Sequence, residues 1–249
     1  NVYWDSGILG LELDPNFVEN GYFYVFYATG EEALAATTES SVRLSRFTYD
    51  RATRRADLAS ELILLDGFGW EIWHQGGGLA FDEAGHLYVG IGDLGEENQT
   101  QNLLRRNGKI LRIKPTAEGY GVPADNPYLF SPIIAPEIYA IGFRNPFRML
   151  YVRALDGVLA ADVGNAFWEE VNLLESGGNY GWPFREGPCP KGQFQPCTAA
   201  ASLYTDPVFY SPHVGNATSS ITGLAYYNGL SFPDEYRQVL FFANYSTDS

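Results

Sequence analysis

The sequence predicts an all-β fold, a β-propeller, on three observations. Short apolar runs bounded by turn residues fill the chain, few windows carry a helical period, and a strand–turn–strand unit recurs at nearly regular spacing. The unit reads GLELD (10–14) before NGYFYV (20–25), GLAFD (78–82) before GHLYV (85–89), RMLYV (148–152) before DGVL (156–159), and GLAYY (223–227) before YRQVL (236–240). Leu11, Leu79, Leu150 and Leu224 follow one another at 68, 71 and 74 residues. A period of about 70 residues with about four strands suits a propeller blade with long loops, and a sandwich would not need this regularity. The blade-like units lie near 1–70, 71–141, 142–215 and 216–249, about three and a half blades where propellers close with ~4–8. The expectation is part of a larger ring, with a small four-bladed ring as the alternative.

The elements follow in order. In the first unit, strands are expected at 8–13, 22–27, 42–49 and 61–65, where β-branched and aromatic residues are bounded by Gly, Pro, Asn and Asp. The second unit places them at 78–81, 86–91, 109–113 and 137–141, with one helical turn at 103–107. The third has 147–152, 158–162, 170–174 and 207–210, and the fourth 221–227 and 239–243. Gly 27 and Pro 14 supply the turns, and a 45% hydrophobic, 15% aromatic chain of 249 residues can bury a large core.

A net charge of −14 repels phosphate backbones, which argues against a nucleic-acid partner. A neutral sugar or alcohol, or a cation such as Ca²⁺, suits that field better, although acidity also serves solubility alone. Cys189 and Cys197 bracket a short Pro/Gly loop with no CxxC or zinc spacing, so a disulfide and an oxidising compartment are expected. Sequons at Asn98, Asn216 and Asn244 are compatible with a glycoprotein. No apolar run approaches the ~18 residues of a membrane span. The start at NVYW, without a signal peptide, reads as a processed or partial product.

Three constellations could carry chemistry. In HQGGG (74–78), His74 precedes three glycines that allow close backbone approach, and Asp93 lies one hairpin later in GIGDLG (90–95). An imidazole with an unperturbed pKa of about 6.5 can act as a base near neutrality, and a neighbouring carboxylate can orient it. Structural histidines also sit beside glycines, so the residues alone leave both roles open. In GFRNP (142–146), Arg144 and Asn145 are placed on a rim loop, where Arg offers a cation fork to an oxyanion or braces neighbouring loops. In DVGNAFWEEVN (162–172), followed by GGNYGWP (177–183), carboxylates beside carbonyl-rich Gly/Asn loops supply hard oxygen ligands suited to Ca²⁺.

Together these segments resemble the soluble quinoprotein glucose dehydrogenases and aldose sugar dehydrogenases, the glucose/sorbosone dehydrogenase family. The likeness runs from GILGLELDPNF (7–17) through HQGGGLAF (74–81), GKILRI (108–113) and PEIYAIGFRNP (136–146) to GNYGWP (178–183). It implies a six-bladed propeller, with pyrroloquinoline quinone (PQQ) and Ca²⁺ on its top face and sugars oxidised at the anomeric carbon to lactones. It further implies an external electron acceptor and an extracellular or periplasmic location. In that likeness His74 takes the proton of the anomeric hydroxyl, Asp93 assists it, Arg144 stabilises charge on the quinone oxygens, and Asn145 contacts the cofactor. Gly164 and Asn165 fall where backbone carbonyls bind the cofactor's Ca²⁺, and Glu169, Glu170 and Tyr180 resemble a second, structural calcium site.

Departures from the family pattern accompany the likeness. Gly164-Asn165 stands where relatives often carry Gly-Pro. ANYSTD (243–248) lacks the lysine that relatives supply to the PQQ carboxylates, and two further family arginines would lie beyond Ser249. Burying three carboxylates without cations is costly. A non-catalytic propeller resembling hedgehog-interacting protein, with an extracellular protein partner or with remaining blades from another segment, is the alternative reading.

Overall fold

The computed structural model describes residues 7–29, 41–69, 73–194, 197, 203–213 and 219–246. Among the described residues, four antiparallel sheets and one short two-stranded hairpin follow one another along the chain. The first holds β1 (Ile8–Leu13), β2 (Tyr22–Thr29), β3 (Ser41–Asp50) and β4 (Arg55–Leu65). The second holds β5 (Gly76–Phe81), β6 (Leu87–Ile91), β7 (Lys109–Pro115), β8 (Tyr120–Gly121) and β9 (Ile138–Ile141), with both β8 and β9 paired to β7. The third holds β10 (Pro146–Val152), β11 (Gly157–Asp162) and β12 (Trp168–Leu173). The hairpin β13 (Arg185–Glu186) and β14 (Cys189–Pro190) interrupts it before its fourth strand, β15 (Phe209–Pro212). The fourth sheet is the pair β16 (Ser219–Tyr227) and β17 (Val239–Ser246).

Side chains alternate across each strand, so an internal sheet feeds two cores. Leu87, Val89 and Ile91 of β6 face the first sheet and join Leu9, Phe26 and Leu44. Tyr88, between them, turns to the third sheet and joins Ile110, Met149 and Ala160. A third cluster, with Leu159, Val171 and Ile221, seals the third sheet against the fourth. This serial, face-to-face stacking is what the recurrent unit anticipated.

The triple glycine follows from the same stacking. β5 is squeezed between neighbouring sheets, and a Cβ at Gly77 would lie 2.8 Å from Leu9 Cβ. One at Gly78 would lie 2.9 Å from both Met149 Cγ and Pro146 O.

Two local readings change. Segment 103–107 forms turns rather than a helical turn. Asn102 Oδ1 takes the Leu104 N–H, and Gly108 at φ 65 turns the chain into β7. A four-residue helix, α1 (Phe17–Asn20), ends instead at Gly21, whose φ of 70 and N–H to Phe17 O close it. Of the sequons, Asn98 is exposed, while its partner Thr100 is buried and donates its hydroxyl to Trp182 O at 2.6 Å. Asn244 is exposed on β17, and Asn216 lies outside the described residues. No helix among the described residues is long and apolar enough to cross a membrane.

Candidate active site

In an antiparallel sheet the start of one strand and the end of the next lie at the same end. His74 comes just before β5 and Asp93 just after β6. Arg144 and Asn145 come just before β10, and the loop around Gly164 follows β11. The topology therefore gathers the first two constellations, and the loop of the third, on one rim.

His74 has a left-handed backbone, φ 53, a conformation non-glycine residues seldom adopt and one that concentrates at functional sites. Its carbonyl receives the Leu94 N–H, which pins it to the turn after β6. Its Nδ1 lies 2.7 Å from Asp93 Oδ1. An ionised carboxylate only accepts, so Nδ1 carries the hydrogen and Nε2 keeps the basic lone pair. Asp93 is 1% exposed and held on all sides. Gly95 N–H donates to Oδ1 at 2.9 Å, Trp182 Nε1 donates to Oδ2 at 2.9 Å, and Asp93 N–H reaches Arg144 O at 2.7 Å.

Asn145 and Arg144 are fixed by Asp162. Its two oxygens accept the N–H groups of Arg144 at 2.9 Å and Asn145 at 2.6 Å. Asn145 Oδ1 accepts the Gly76 N–H at 2.9 Å across the boundary between sheets, leaving its amide nitrogen as the group it can offer. Arg144 Nη1 donates to Val163 O at 3.0 Å, and its Cζ stands 5.7 Å from the Trp182 ring centroid. Arg144 Nε is buried with no hydrogen-bond partner among the described residues. Asp162 stands opposite Glu170 in the β11–β12 ladder. Burial pushes the Asp162 carboxyl up to about 7, and burial together with the Asp162 charge raises Glu170 well above the usual carboxylate range.

Of the metal candidates, those for the cofactor's Ca²⁺ share one loop, while Glu169, Glu170 and Tyr180 are turned to different surroundings. Gly164 and Asn165 lie on the partly exposed rim loop. Glu169 is fully buried and bonded to His213 Nε2 at 2.7 Å, Ile221 N at 2.8 Å and Gly164 N at 3.3 Å. Glu170 points to the other face of β12. Tyr180 is buried against Phe143, its hydroxyl donating to Leu173 O and accepting from Glu175 N. Among the described residues no three His, Cys, Asp or Glu side chains form a metal-holding group. Cys189 and Cys197 are joined in a disulfide, with Cα atoms 5.4 Å apart.

Three residues at this site were not singled out from the sequence. Trp182 holds Asp93 from within GGNYGWP, a motif whose sequence points to Gly/Asn carbonyls and not to its indole. Lys191, carried by the disulfide-closed segment, sets its Nζ 4.5 Å from the Trp182 centroid and pairs with Glu97 at 2.5 Å. Glu186 accepts four consecutive backbone N–H groups, and its sequence neighbourhood carries no pattern that announces this.

The family model for glucose/sorbosone dehydrogenase matches residues 2–248. The chain is 27% identical over 244 residues to the aldose sugar dehydrogenase YliI of Escherichia coli strain K12, covering 96% of this chain and 62% of that protein. The apo structure of the soluble aldose sugar dehydrogenase of Escherichia coli shares the fold, with a TM-score of 0.79 at 22% identity over 96% of this chain and 67% of that one. The PQQ-bound aldose sugar dehydrogenase of Streptomyces coelicolor superposes with a TM-score of 0.70 at 25% identity, covering 91% of this chain and 59% of that one. The chain thus spans less than two thirds of the length of YliI. Its propeller sheets, and a family match that takes in His74, Asp93 and Arg144, place it in the glucose/sorbosone dehydrogenase family.

Proposed function

We propose that this chain carries the base and the cofactor-facing groups of a PQQ- and calcium-dependent aldose sugar dehydrogenase, which oxidises the anomeric carbon of a sugar to the lactone and passes electrons to an external acceptor. The observation that carries the reading is the strained His74 held by Asp93, with Arg144 and Asn145 on the same rim.

The residues present fit both groups. Arg144 Nε is a buried donor with no partner among the described residues, suited to an oxygen of a quinone or carboxylate. The rim loop offers backbone carbonyls, hard ligands for Ca²⁺. Lys191 adds a second cation beside Trp182, on a chain that lacks the family's clamp lysine. When bound, PQQ supplies a hydride-accepting quinone carbon and Ca²⁺ a Lewis acid.

The protein's own work is to remove and hold a proton. His74 Nε2 takes the hydrogen of the anomeric hydroxyl, and the charge that appears on the imidazole is stabilised by Asp93, whose position is locked by Gly95 and Trp182. Arg144, anchored by Val163 O, donates toward negative charge gathering on the cofactor's oxygens. The disulfide supports an extracellular or periplasmic setting.

The test is reconstitution of the full-length protein with PQQ and Ca²⁺, followed by dye reduction with a panel of aldoses. Sugar-dependent bleaching of the quinone is expected. No absorbance change with any aldose, together with no PQQ binding, would overturn the reading in favour of a non-catalytic propeller.

A further inference from the structure

We propose that Glu186 is a positioning residue that orients the rim loop so that the carbonyls of Gly164 and Asn165 face outward to a cation. This rests on the calcium-dependent reading above and names a residue that sets the geometry of that site.

The geometry begins with five consecutive amides. Gly164 N–H reaches Glu169 Oε2 at 3.3 Å. The N–H groups of Asn165, Ala166, Phe167 and Trp168 all converge on Glu186 Oε1, at 2.8, 2.7, 2.8 and 3.1 Å. Successive N–H groups turned to one side form a concavity for an anion, and here the anion is the protein's own carboxylate.

A trans peptide is planar, so each N–H and the carbonyl of the residue before it point in opposite directions. With the N–H groups of 165–168 drawn inward, the carbonyls of residues 164–167 are turned away from Glu186. Two flanking carbonyls have identified uses: Val163 O holds Arg144 Nη1, and Phe167 O holds the His213 N–H. Gly164, Asn165 and Ala166 lie between them, on the partly exposed part of the loop, with the first two carbonyls nearest the Arg144 anchor in sequence.

Glu186 itself is 2% exposed and cannot swing away. It sits on β13, paired to Cys189 of β14, and the disulfide from Cys189 to Cys197 ties down the segment that follows this hairpin. Arg185 beside it donates to Gly187 O at 2.9 Å and pairs with Asp206. Its second oxygen, Oε2, is buried without a hydrogen-bond partner among the described residues, so one oxygen does the orienting.

The test uses Ca²⁺ alone, titrated calorimetrically into the full-length metal-free protein, with thermal melting of the metal-free form measured alongside. E186D keeps the charge and shortens the reach, and its Ca²⁺ affinity is expected to fall about 10- to 100-fold. E186Q keeps an acceptor oxygen at the right distance and is expected to stay within about threefold of wild type, the range that marks rescue against that loss. Wild-type affinity in a folded E186D overturns the proposal. A loss in E186Q as deep as in E186D also overturns it, because charge rather than orientation would then be at work. A wild-type protein that binds no Ca²⁺ overturns the calcium reading itself, a separate result.

Discussion

Trp182 Nε1 donates to Asp93 Oδ2 at 2.9 Å while His74 Nδ1 stands 2.7 Å from Asp93 Oδ1. One carboxylate therefore joins the turn after β6, the loop before β5 and the long excursion of the third sheet. Its two oxygens have divided duties, one for the imidazole and one for the indole.

His74→Ala should abolish sugar oxidation and leave the fold intact, since the imidazole side chain is 22% exposed and not part of a core. The expected loss in kcat is about 10²- to 10⁴-fold, the usual contribution of general-base catalysis. Asp93→Asn should fall in the same range, because an amide can present its NH₂ to Nδ1 and stabilise the wrong tautomer. Steady-state kinetics and circular dichroism check both. If His74→Ala unfolds, the histidine is structural.

Lys109 gives stability a pH dependence with a definite sign. The side chain is fully buried, its Nζ donates to Gln99 O at 3.1 Å, Thr100 O at 2.7 Å and Asn107 O at 2.8 Å, and burial pushes it down to about 7. The unfolded lysine holds its proton to about 10.4. Between those values the unfolded chain binds the extra proton, so stability rises with pH from about 7 to about 10 and stays level at its lower value below that window. The slope is at most about 1.4 kcal/mol per pH unit. Urea unfolding of wild type and Lys109→Met across this range should show the difference between them changing with pH. A flat difference refutes the assignment. At about pH 7 the variant should also lose about 1–3 kcal/mol by orphaning three carbonyls.

Gly78→Ala should destabilise by about 1–3 kcal/mol, because its methyl meets Pro146 O and Met149 in a seam with no room to give. Gly121→Ala is the control. Nothing lies within 4 Å of its added Cβ, and its melting temperature should stay near wild type.

The native protein should show no alkylatable thiol by intact mass until it is reduced. The Cys189→Ser/Cys197→Ser variant should lose about 2–4 kcal/mol in thermal or urea melts. It should also lose activity through Lys191, which the closed segment carries, and through Glu186, which pairs with Cys189 at its edge.

The all-β architecture was legible because each blade repeats one hydrophobic rhythm, and that rhythm is what stacking sheets require. β4 was read from 61 and runs from Arg55, because its first residues, Leu58 included, are exposed, and charged and small side chains break up the apolar pattern there. The helical turn expected at 103–107 failed for a local reason, an Asn side chain competing for the backbone. At the site, HQGGG, Asp93 and GFRNP were visible because glycines and a proline mark the rim. Trp182 and Lys191 were not, since their contacts lie 89 and 94 residues away in sequence. Glu186 was hidden for a different reason: its partners are backbone amides, which any sequence provides.

The bonds from Gly76 N–H to Asn145 Oδ1 and from Asp93 N–H to Arg144 O both cross from the second sheet to the third. The rim that carries His74, Arg144 and Asn145 is consequently a suture between two sheets and belongs to neither. A slight parting of that seam separates base from cation while every strand ladder remains intact. Mild heating or low urea should therefore silence the site before the far-ultraviolet spectrum changes, which makes activity the most sensitive gauge of how firmly the two sheets are joined.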